Sequence, residues 1–140
     1  FLPSWSRNNF RWSREFTVQE LTDMLTNDRD LGLFKRIRVL KRGPSGRIYK
    51  AHIIFEKGKL DIKGELALRQ LFSPSLRSSA FFVKRRGDKV VLRGSGWGHG
   101  VGMCQSGAVA QATRGRSFDQ ILKHYYSKAD LLNIYGKSGP

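Results

Sequence analysis

A segment in which every second residue is glycine constrains the fold of this chain more than any other feature. Residues 94–102 contain five glycines, and Ser95, Trp97, His99 and Val101 stand between them. Glycine loses more conformational entropy on folding than any other residue, so such an array needs a structural or functional reason. The spacing does not fit the dinucleotide-binding fingerprint, because G-x-G-x-x-G fails at every start, and it does not fit the P-loop, because no Gly-Lys-Ser/Thr follows.

The conformation expected for this segment is an extended one, with all five glycines on one face and the larger residues on the other. A bare face of this kind lets another backbone, or a polymer, approach at contact distance. One interpretation is a closely packed strand or loop in which Trp97 fills the core. The whole array, followed by Met103-Cys104-Gln105, favours a binding site instead.

The remaining patterns predict an α+β fold that consists of an antiparallel strand meander with short helices, a glycine-rich loop and two C-terminal helices. A capping box from Thr17 to Glu20 predicts a helix over about residues 18–27. Alternating apolar residues and turn signals predict strands between residues 36 and 62 with one wet, basic face. The buried face of the longest of these strands is expected to carry Tyr49, Ala51, Ile53 and Phe55.

Further along the chain, the patterns predict a short helix over residues 65–72 and a hairpin over residues 80–93. Small apolar residues predict a closely packed helix over residues 103–113. A second capping box, Ser117 to Gln120, opens the last helix. Its apolar stripe is expected to be Phe118, Ile121, Leu122 and Tyr125, and a final strand is predicted at Leu131–Tyr135.

The organisation predicted from these elements is one unit over residues 1–140, because no linker is long enough to separate domains. The chain begins at Phe1 without an initiator methionine or a signal segment. The sequence therefore predicts a fragment, the C-terminal part of a larger domain.

The charge of the chain is strongly basic, with 26 Lys and Arg against 11 acidic residues and a net charge of +15. Residues 33–93 hold 17 of the basic groups and only four acidic ones. This balance suits nucleic acid, but no helix-turn-helix, RNA-recognition sheet motif or zinc finger accompanies it. Specific nucleic-acid binding is therefore kept only as a remote alternative. No apolar run reaches the length of a membrane span.

The single cysteine, Cys104, excludes an internal disulfide and any multi-cysteine zinc module within the chain. It is expected to be buried and inert. The set of His99, His124 and Cys104 lacks metal-ligand spacing. We predict no metal and no cofactor.

The residues around the glycine array resemble the signature of the stage II sporulation protein D / LytB family. The match runs through Gly96-Trp97-Gly98-His99-Gly100-Val101-Gly102-Met103, Gln105 and Gly107-Ala108. Cys104 and Ser106 depart from it, since a serine and an aromatic residue are expected there. Further residues in the family's order are Trp12, Glu20-Leu21, Ser45-Gly46-Arg47, Arg69, Leu76-Arg77-Ser78-Ser79-Ala80-Phe81, Ile121-Leu122, His124-Tyr125-Tyr126 and Leu132–Tyr135.

The resemblance implies a protein of the bacterial cell envelope, at its periplasmic or extracellular face, that acts on peptidoglycan. Enzymes of the family are lytic transglycosylases that leave a 1,6-anhydro-muramic end, and other members enhance an amidase. The implied partners are glycan strands, a wall hydrolase or amidase, and the missing N-terminal half of the same domain. A non-catalytic wall module is the alternative function.

The chemistry implied by the resemblance needs one carboxylic acid that stays protonated and donates its proton to the glycosidic oxygen. In the family this glutamate lies in an N-terminal helical segment that nothing in this chain matches. We therefore predict no catalytic residue here and expect the acid upstream of Phe1. Glu65 opens a short helix, whose N-terminus favours a carboxylate, and is interpreted as structural.

The predicted substrate-binding residues combine aromatic rings, an imidazole and polar groups near the array. Aromatic rings can stack on sugar faces. Gln105 and Ser106 are expected at a helix N-terminus, where free amides can bind sugar oxygens. Arg69 can pair with either a muramic carboxylate or a structural acid. For His99 a buried donor to the tight backbone is the alternative to a site residue. The set is Arg69, Trp97, Gly98, His99, Gly100, Gln105, Ser106 and Tyr126.

Overall fold

The computed structural model describes residues 10–132 and 134, and within them it forms two antiparallel sheets and four short helices. The predicted α+β class is confirmed. The strands are β1 Arg11–Thr17, β2 Phe34–Arg42, β3 Ile48–Phe55, β4 Lys59–Lys63, β5 Phe81–Arg86 and β6 Lys89–Ser95. The helices are α1 Val18–Thr26, α2 Glu65–Gln70, α3 Gln105–Ala112 and α4 Phe118–Tyr125.

The chain divides into two compact units by its contacts. That residues 1–140 are the C-terminal part of a larger domain stays a prediction. Described residues 10–100 belong to the first unit, and residues 101–132 and 134 belong to the second. None of the helices in the described part of the chain is long and apolar enough to span a membrane.

The first unit is built from both sheets around one shared core. The strand order is β1-β6-β5 in sheet A and β2-β3-β4 in sheet B, and all neighbouring strands are antiparallel. The Trp12 and Phe81 rings lie 6.1 Å apart in the core, and Phe34 meets Phe55 edge to face at 6.2 Å. Helices α1 and α2 add Leu21, Leu25 and Leu68 to the same cluster.

Two arginines connect the outermost strands β2 and β5, which belong to different sheets. Arg42 of β2 donates to the carbonyl oxygen of Phe81, at the start of β5, at 2.8 Å. Arg85 of β5 donates to the carbonyl oxygens of Phe34 and Lys35, at the start of β2, at 3.1 and 3.2 Å. Guanidinium groups therefore link the end of β2 to the start of β5 and the end of β5 to the start of β2. Burial lowers the pKa of Arg42.

Helix α1 begins as its capping box predicts. The Thr17 hydroxyl accepts from the Glu20 amide at 3.1 Å, and Glu20 Oε2 accepts from the Thr17 amide at 2.7 Å. These two bonds satisfy amides that have no partner inside the helix. The helix ends at Thr26, one residue before the predicted end, because Asn27 adopts a left-handed conformation with φ of 47°.

The predicted buried face of β3 is confirmed at Ala51, Ile53 and Phe55 and wrong at Tyr49. The pairing of β2 with β3 shifts near this point, so Lys41 faces Lys50 while Arg42 faces Ile48. A register shift of this kind inserts an unpaired residue and reverses the side-chain alternation. Tyr49 is consequently 43% exposed, and Ile48 takes its place in the core at 1%.

The predicted basic face of the meander is confirmed on the outer side of sheet B. One row across its three strands consists of Lys41, Lys50 and Lys63, all exposed. Like charges directly opposite each other are destabilising in a sheet. In the neighbouring row, His52 Nε2 lies 2.9 Å from Asp61 Oδ1.

The second unit contains helices α3 and α4. The capping box of Ser117 and Gln120 that opens α4 is confirmed. Its predicted apolar stripe holds at buried Ile121 but is wrong at Phe118, whose ring follows the cap directly and is 75% exposed. In the predicted strand at Leu131–Tyr135, residues 131, 132 and 134 form no strand, and residues 133 and 135 lie outside the described residues.

Candidate functional site

The glycine segment leaves the sheet after Ser95 and is not extended, so that expectation is wrong. Gly96, Gly98, Gly100 and Gly102 have φ values of 77°, 78°, 70° and 92°. This left-handed region is open to glycine and costs other residues about 1–2 kcal/mol. Glycine therefore recurs at every second position because the backbone turns there.

Gly94 has a different role, because it is still part of strand β6. It lies opposite Trp12 of β1, and a Cβ atom at position 94 would collide with the indole ring. The absent side chain thus allows the ring to lie directly against the strand.

Arg47 holds the turning segment from the end of the β2–β3 hairpin. Its Nε donates to the carbonyl oxygen of Gly98 at 2.8 Å, and its Nη2 donates to that of Trp97 at 3.4 Å. Its guanidinium also occupies the space that a side chain at position 100 would need. A residue about 50 positions away therefore fixes the backbone just before His99 and lies close against Gly100 just after it.

Arg77 contacts the same segment from the loop before β5. Its carbonyl oxygen accepts from the Gly98 amide at 2.8 Å, and its guanidinium lies over the Trp97 ring at 5.0 Å. The Trp97 side chain is 67% exposed, so the interpretation of Trp97 as a core residue is wrong. The ring is held at the surface by a cation–π contact.

Buried serines anchor the base of the segment. The Ser78 hydroxyl donates to the carbonyl oxygen of Ser95 at 2.6 Å and accepts from the Ala80 amide at 3.2 Å. The Ser95 amide donates to the Ala80 carbonyl oxygen at 2.9 Å. Ser78 is fully buried, so these bonds fix the exit of β6 in a place without competing water.

His99 stands at the exposed centre of the segment. Among the residues that the structure describes, no hydrogen-bond partner of its imidazole is found. A buried donor to the tight backbone, the alternative from the sequence, does not fit this exposure. The imidazole is thus available to a ligand, next to the exposed Trp97 ring.

Arg69 is used within the fold. Its Nε donates to the carbonyl oxygen of Leu76 at 2.7 Å, and its Nη1 lies 3.5 Å from Glu65 Oε1. The Ser79 hydroxyl lies 3.5 Å from the other oxygen of Glu65. The sequence left two roles open for Arg69, a muramic carboxylate or a structural acid as its partner. In the structure its partner is a structural acid, Glu65.

Three of the predicted site residues lie in the second unit. Gln105 and Ser106 form the first turn of α3, so the predicted helix N-terminus is confirmed there. The Tyr126 hydroxyl accepts from the Met103 amide at 3.1 Å, and its side chain is 43% exposed. Cys104 precedes α3 as its N-cap and is exposed, so the expectation that it is buried is wrong.

Of the predicted site residues, Trp97, Gly98, His99 and Gly100 thus lie together in the first unit. The sequence analysis missed Arg47 and Arg77, the two arginines that contact this segment. Arg47 and Arg77 lie in two of the stretches that carry the family resemblance, which is the signal that identifies them. Within residues 10–132 and 134, no three His, Cys, Asp or Glu side chains cluster as a metal site.

The fold and the site define a small α+β domain that presents an exposed tryptophan and histidine on a glycine segment fixed by two arginines. Residues 4–102 match the family described as "Domain of unknown function (DUF8618)", and the chain belongs to this family. The match includes the residues from Trp97 to Gly100 and ends before Gln105.

Part of the chain is also similar to curated proteins that carry functional names. The chain is 46% identical over 56 residues to "Stage II sporulation protein D" of Bacillus amyloliquefaciens, and the aligned segment covers 40% of this chain and 16% of the relative. It is 46% identical over 66 residues to the protein of that name in Bacillus subtilis (strain 168), covering 43% and 19%. It is also 42% identical over 67 residues to "Amidase enhancer" of Bacillus subtilis (strain 168), covering 47% and 10%.

These relatives confirm the resemblance to the stage II sporulation protein D / LytB family for part of a domain. The aligned segments span less than a fifth of the length of each of these relatives.

Proposed function

We propose that this chain is the glycan-binding part of a peptidoglycan lytic transglycosylase of the bacterial cell envelope, one that forms 1,6-anhydro-muramic ends. The observation that carries the proposal is the exposed pair of Trp97 and His99 on a segment fixed by Arg47. The tryptophan ring offers a stacking surface for a pyranose, and the imidazole offers a hydrogen bond to a hydroxyl or acetamido group. The relatives named stage II sporulation protein D support a role at the cell wall.

The general acid of this reaction comes from outside the chain. It must stay protonated until it gives its proton to the leaving oxygen, which requires a site without donors that favour the carboxylate. Each of the four glutamates of the chain lies next to a hydrogen-bond donor or a cation and not in an apolar site. The pairs are Glu15 with Lys89 at 2.8 Å, Glu20 with the Thr17 amide at 2.7 Å, Glu56 with the Leu33 amide at 3.1 Å and Glu65 with Arg69 at 3.5 Å.

The first test is binding of the chain to peptide-stripped glycan strands, measured by calorimetry. We expect Trp97→Ala and His99→Ala each to weaken binding at least tenfold while the melting temperature stays unchanged. Phe118→Ala removes an equally exposed aromatic ring and serves as the matched control. Equal binding by all four proteins would contradict the proposal, and tighter binding to DNA at the same salt concentration would favour the nucleic-acid alternative.

The second test separates binding from catalysis. The pure chain is expected to release no anhydro-muramic product from glycan strands by mass spectrometry, because none of its glutamates lies in the apolar, donor-free surroundings that the general acid requires. Release of that product by the pure chain would place the acid within it and direct attention to Glu65 and Glu56.

A second candidate is a non-catalytic module that enhances an amidase, and the relative named "Amidase enhancer" favours it. Both candidates require glycan binding, so amidase turnover on intact peptidoglycan distinguishes them. An increase in that turnover on adding the chain, which Trp97→Ala abolishes, would support the second candidate.

A further inference from the structure

A cavity of about 430 Å³ opens on sheet A, next to the strand end from which the glycine segment departs. Two cross-strand rows line it. Ser13, Arg93 and Phe82 are directly opposite one another on β1, β6 and β5, and Arg11 faces Ser95 in the next row. Because side chains two residues apart on a strand share a face, these five lie on one side of the sheet.

The cavity is positively charged without an internal counter-charge. Arg11 and Arg93 occupy diagonal positions on β1 and β6, which strand geometry places about 7–8 Å apart, within joint reach of one small anion. Glu15, the next acidic residue on this face, is engaged by Lys89 at 2.8 Å. Among the described residues, neither Arg11 nor Arg93 forms an ion pair, although Arg11 lies 5.8 Å from the Phe10 ring.

An exposed aromatic ring forms one wall of the cavity. The Phe82 side chain is 74% exposed, and the Arg42 guanidinium lies 4.8 Å from its ring centre. The Arg42 side chain is already committed to the carbonyl oxygens of Gly46 and Phe81 at 2.7 and 2.8 Å. The ring is therefore held in place, and most of its surface is open to a flat apolar face such as that of a pyranose.

We propose that this cavity binds the carboxylate-bearing sugar of the glycan, a pyranose with an acidic substituent. Arg11 and Arg93 bind the carboxylate, Phe82 packs against the ring, and the Ser13 and Ser95 hydroxyls bond to the sugar hydroxyls. The choice of a wall sugar rests on the proposed function, whereas the preference for an acidic pyranose rests on the cavity itself. The site is distinct from the one at Trp97 and His99 and gives the chain a second point of contact with a strand.

The experiment compares N-acetylmuramic acid with N-acetylglucosamine, which lacks the lactyl carboxylate, by NMR titration of the full chain. We expect at least tenfold tighter binding of N-acetylmuramic acid than of N-acetylglucosamine. Arg93→Gln should abolish the preference, and Phe82→Ala should weaken binding of both sugars. Arg86→Gln is the matched control, because Arg86 is an exposed arginine on β5 outside the cavity lining.

Each contrary outcome overturns the proposal. Equal binding of the two sugars, an unchanged preference in Arg93→Gln, or the same loss in Arg86→Gln would remove the role of the cavity. Binding of D-lactate or inorganic phosphate as tight as that of N-acetylmuramic acid would reduce the cavity to a site for simple anions.

The same series separates this proposal from the proposed function. Trp97→Ala should leave the preference for N-acetylmuramic acid intact while it weakens strand binding. A natural chain that binds strands but shows no preference for N-acetylmuramic acid would refute the cavity alone. A Trp97→Ala chain that keeps both the preference and full strand binding would refute the function proposed for Trp97 and His99.

Discussion

Replacement of Gly100 by alanine, compared with the same replacement at Gly98, measures how firmly Arg47 holds the glycine segment. Both positions are left-handed, with φ of 70° and 78°, so both substitutions carry a backbone cost of about 1–2 kcal/mol. At Gly98 a new Cβ meets nothing within 4 Å. At Gly100 it collides with the Arg47 guanidinium.

The difference between the two variants follows from what the displaced guanidinium does. It donates charge-assisted hydrogen bonds to the Gly98 and Trp97 carbonyl oxygens. A hydrogen bond that involves a charged group contributes about 1.5–3 kcal/mol, and part of that is retained if the flexible side chain shifts. We therefore expect Gly100→Ala to lower the free energy of unfolding by about 1–2 kcal/mol more than Gly98→Ala.

The assay is urea denaturation followed by circular dichroism, in the natural chain and in an Arg47→Met background. Without the guanidinium, Gly100→Ala and Gly98→Ala should have the same cost, so the double-mutant cycle assigns the difference to Arg47. Equal costs in the natural background, or a difference that persists in Arg47→Met, would refute the reasoning.

Three further predictions concern other parts of the chain. Lys50→Glu should raise the free energy of unfolding by about 0.5–1.5 kcal/mol in urea denaturation at low salt, because position 50 lies between two lysines of neighbouring strands. A gain in stability that does not fall with added salt would contradict this. The hydrogen bond and charge of Lys57 lower the pKa of Asp30 below 3.8, so the stabilisation is present above about pH 4 and is lost as the pH falls through the lowered pKa. Lys57→Met should return that pKa towards 3.8 in an NMR titration, and an unchanged value would argue against the pair. Gly107→Ala, in helix α3, should lower the melting temperature even though alanine has the higher helix propensity. The reason is that the new Cβ at position 107 would collide with the Tyr125 hydroxyl, so Tyr125→Phe should restore the lost stability.

The features that could be predicted from the sequence are those set by residues close together in the chain. The caps at Thr17 and Ser117 follow from two side chains three residues apart, and both are confirmed. The hairpin turn at residue 87 follows from a Gly-Asp pair between two strand patterns, and Gly87 has the positive φ that such a turn needs.

The site could be predicted only in part, because spacing does not determine backbone conformation. Alternating glycines fit an extended strand and a series of left-handed turns equally well, and the turns are what the structure contains. The role of Arg47 depends on a contact between residues about 50 positions apart, which no local pattern encodes. The exposure of Tyr49 depends on a register shift between strands, and that of Trp97 on a cation–π contact with Arg77.

The arginines that join β2 and β5 have a consequence for self-association. Each of these strands is one of the two edges of its sheet, and an unpaired edge is a template on which a strand from another molecule can add. Arg42 and Arg85 donate to carbonyl oxygens of these two edge strands, and the positive charge they bring repels a second basic chain. Replacing both by methionine would leave two sheet edges free, and the chain would then be prone to edge-to-edge aggregation.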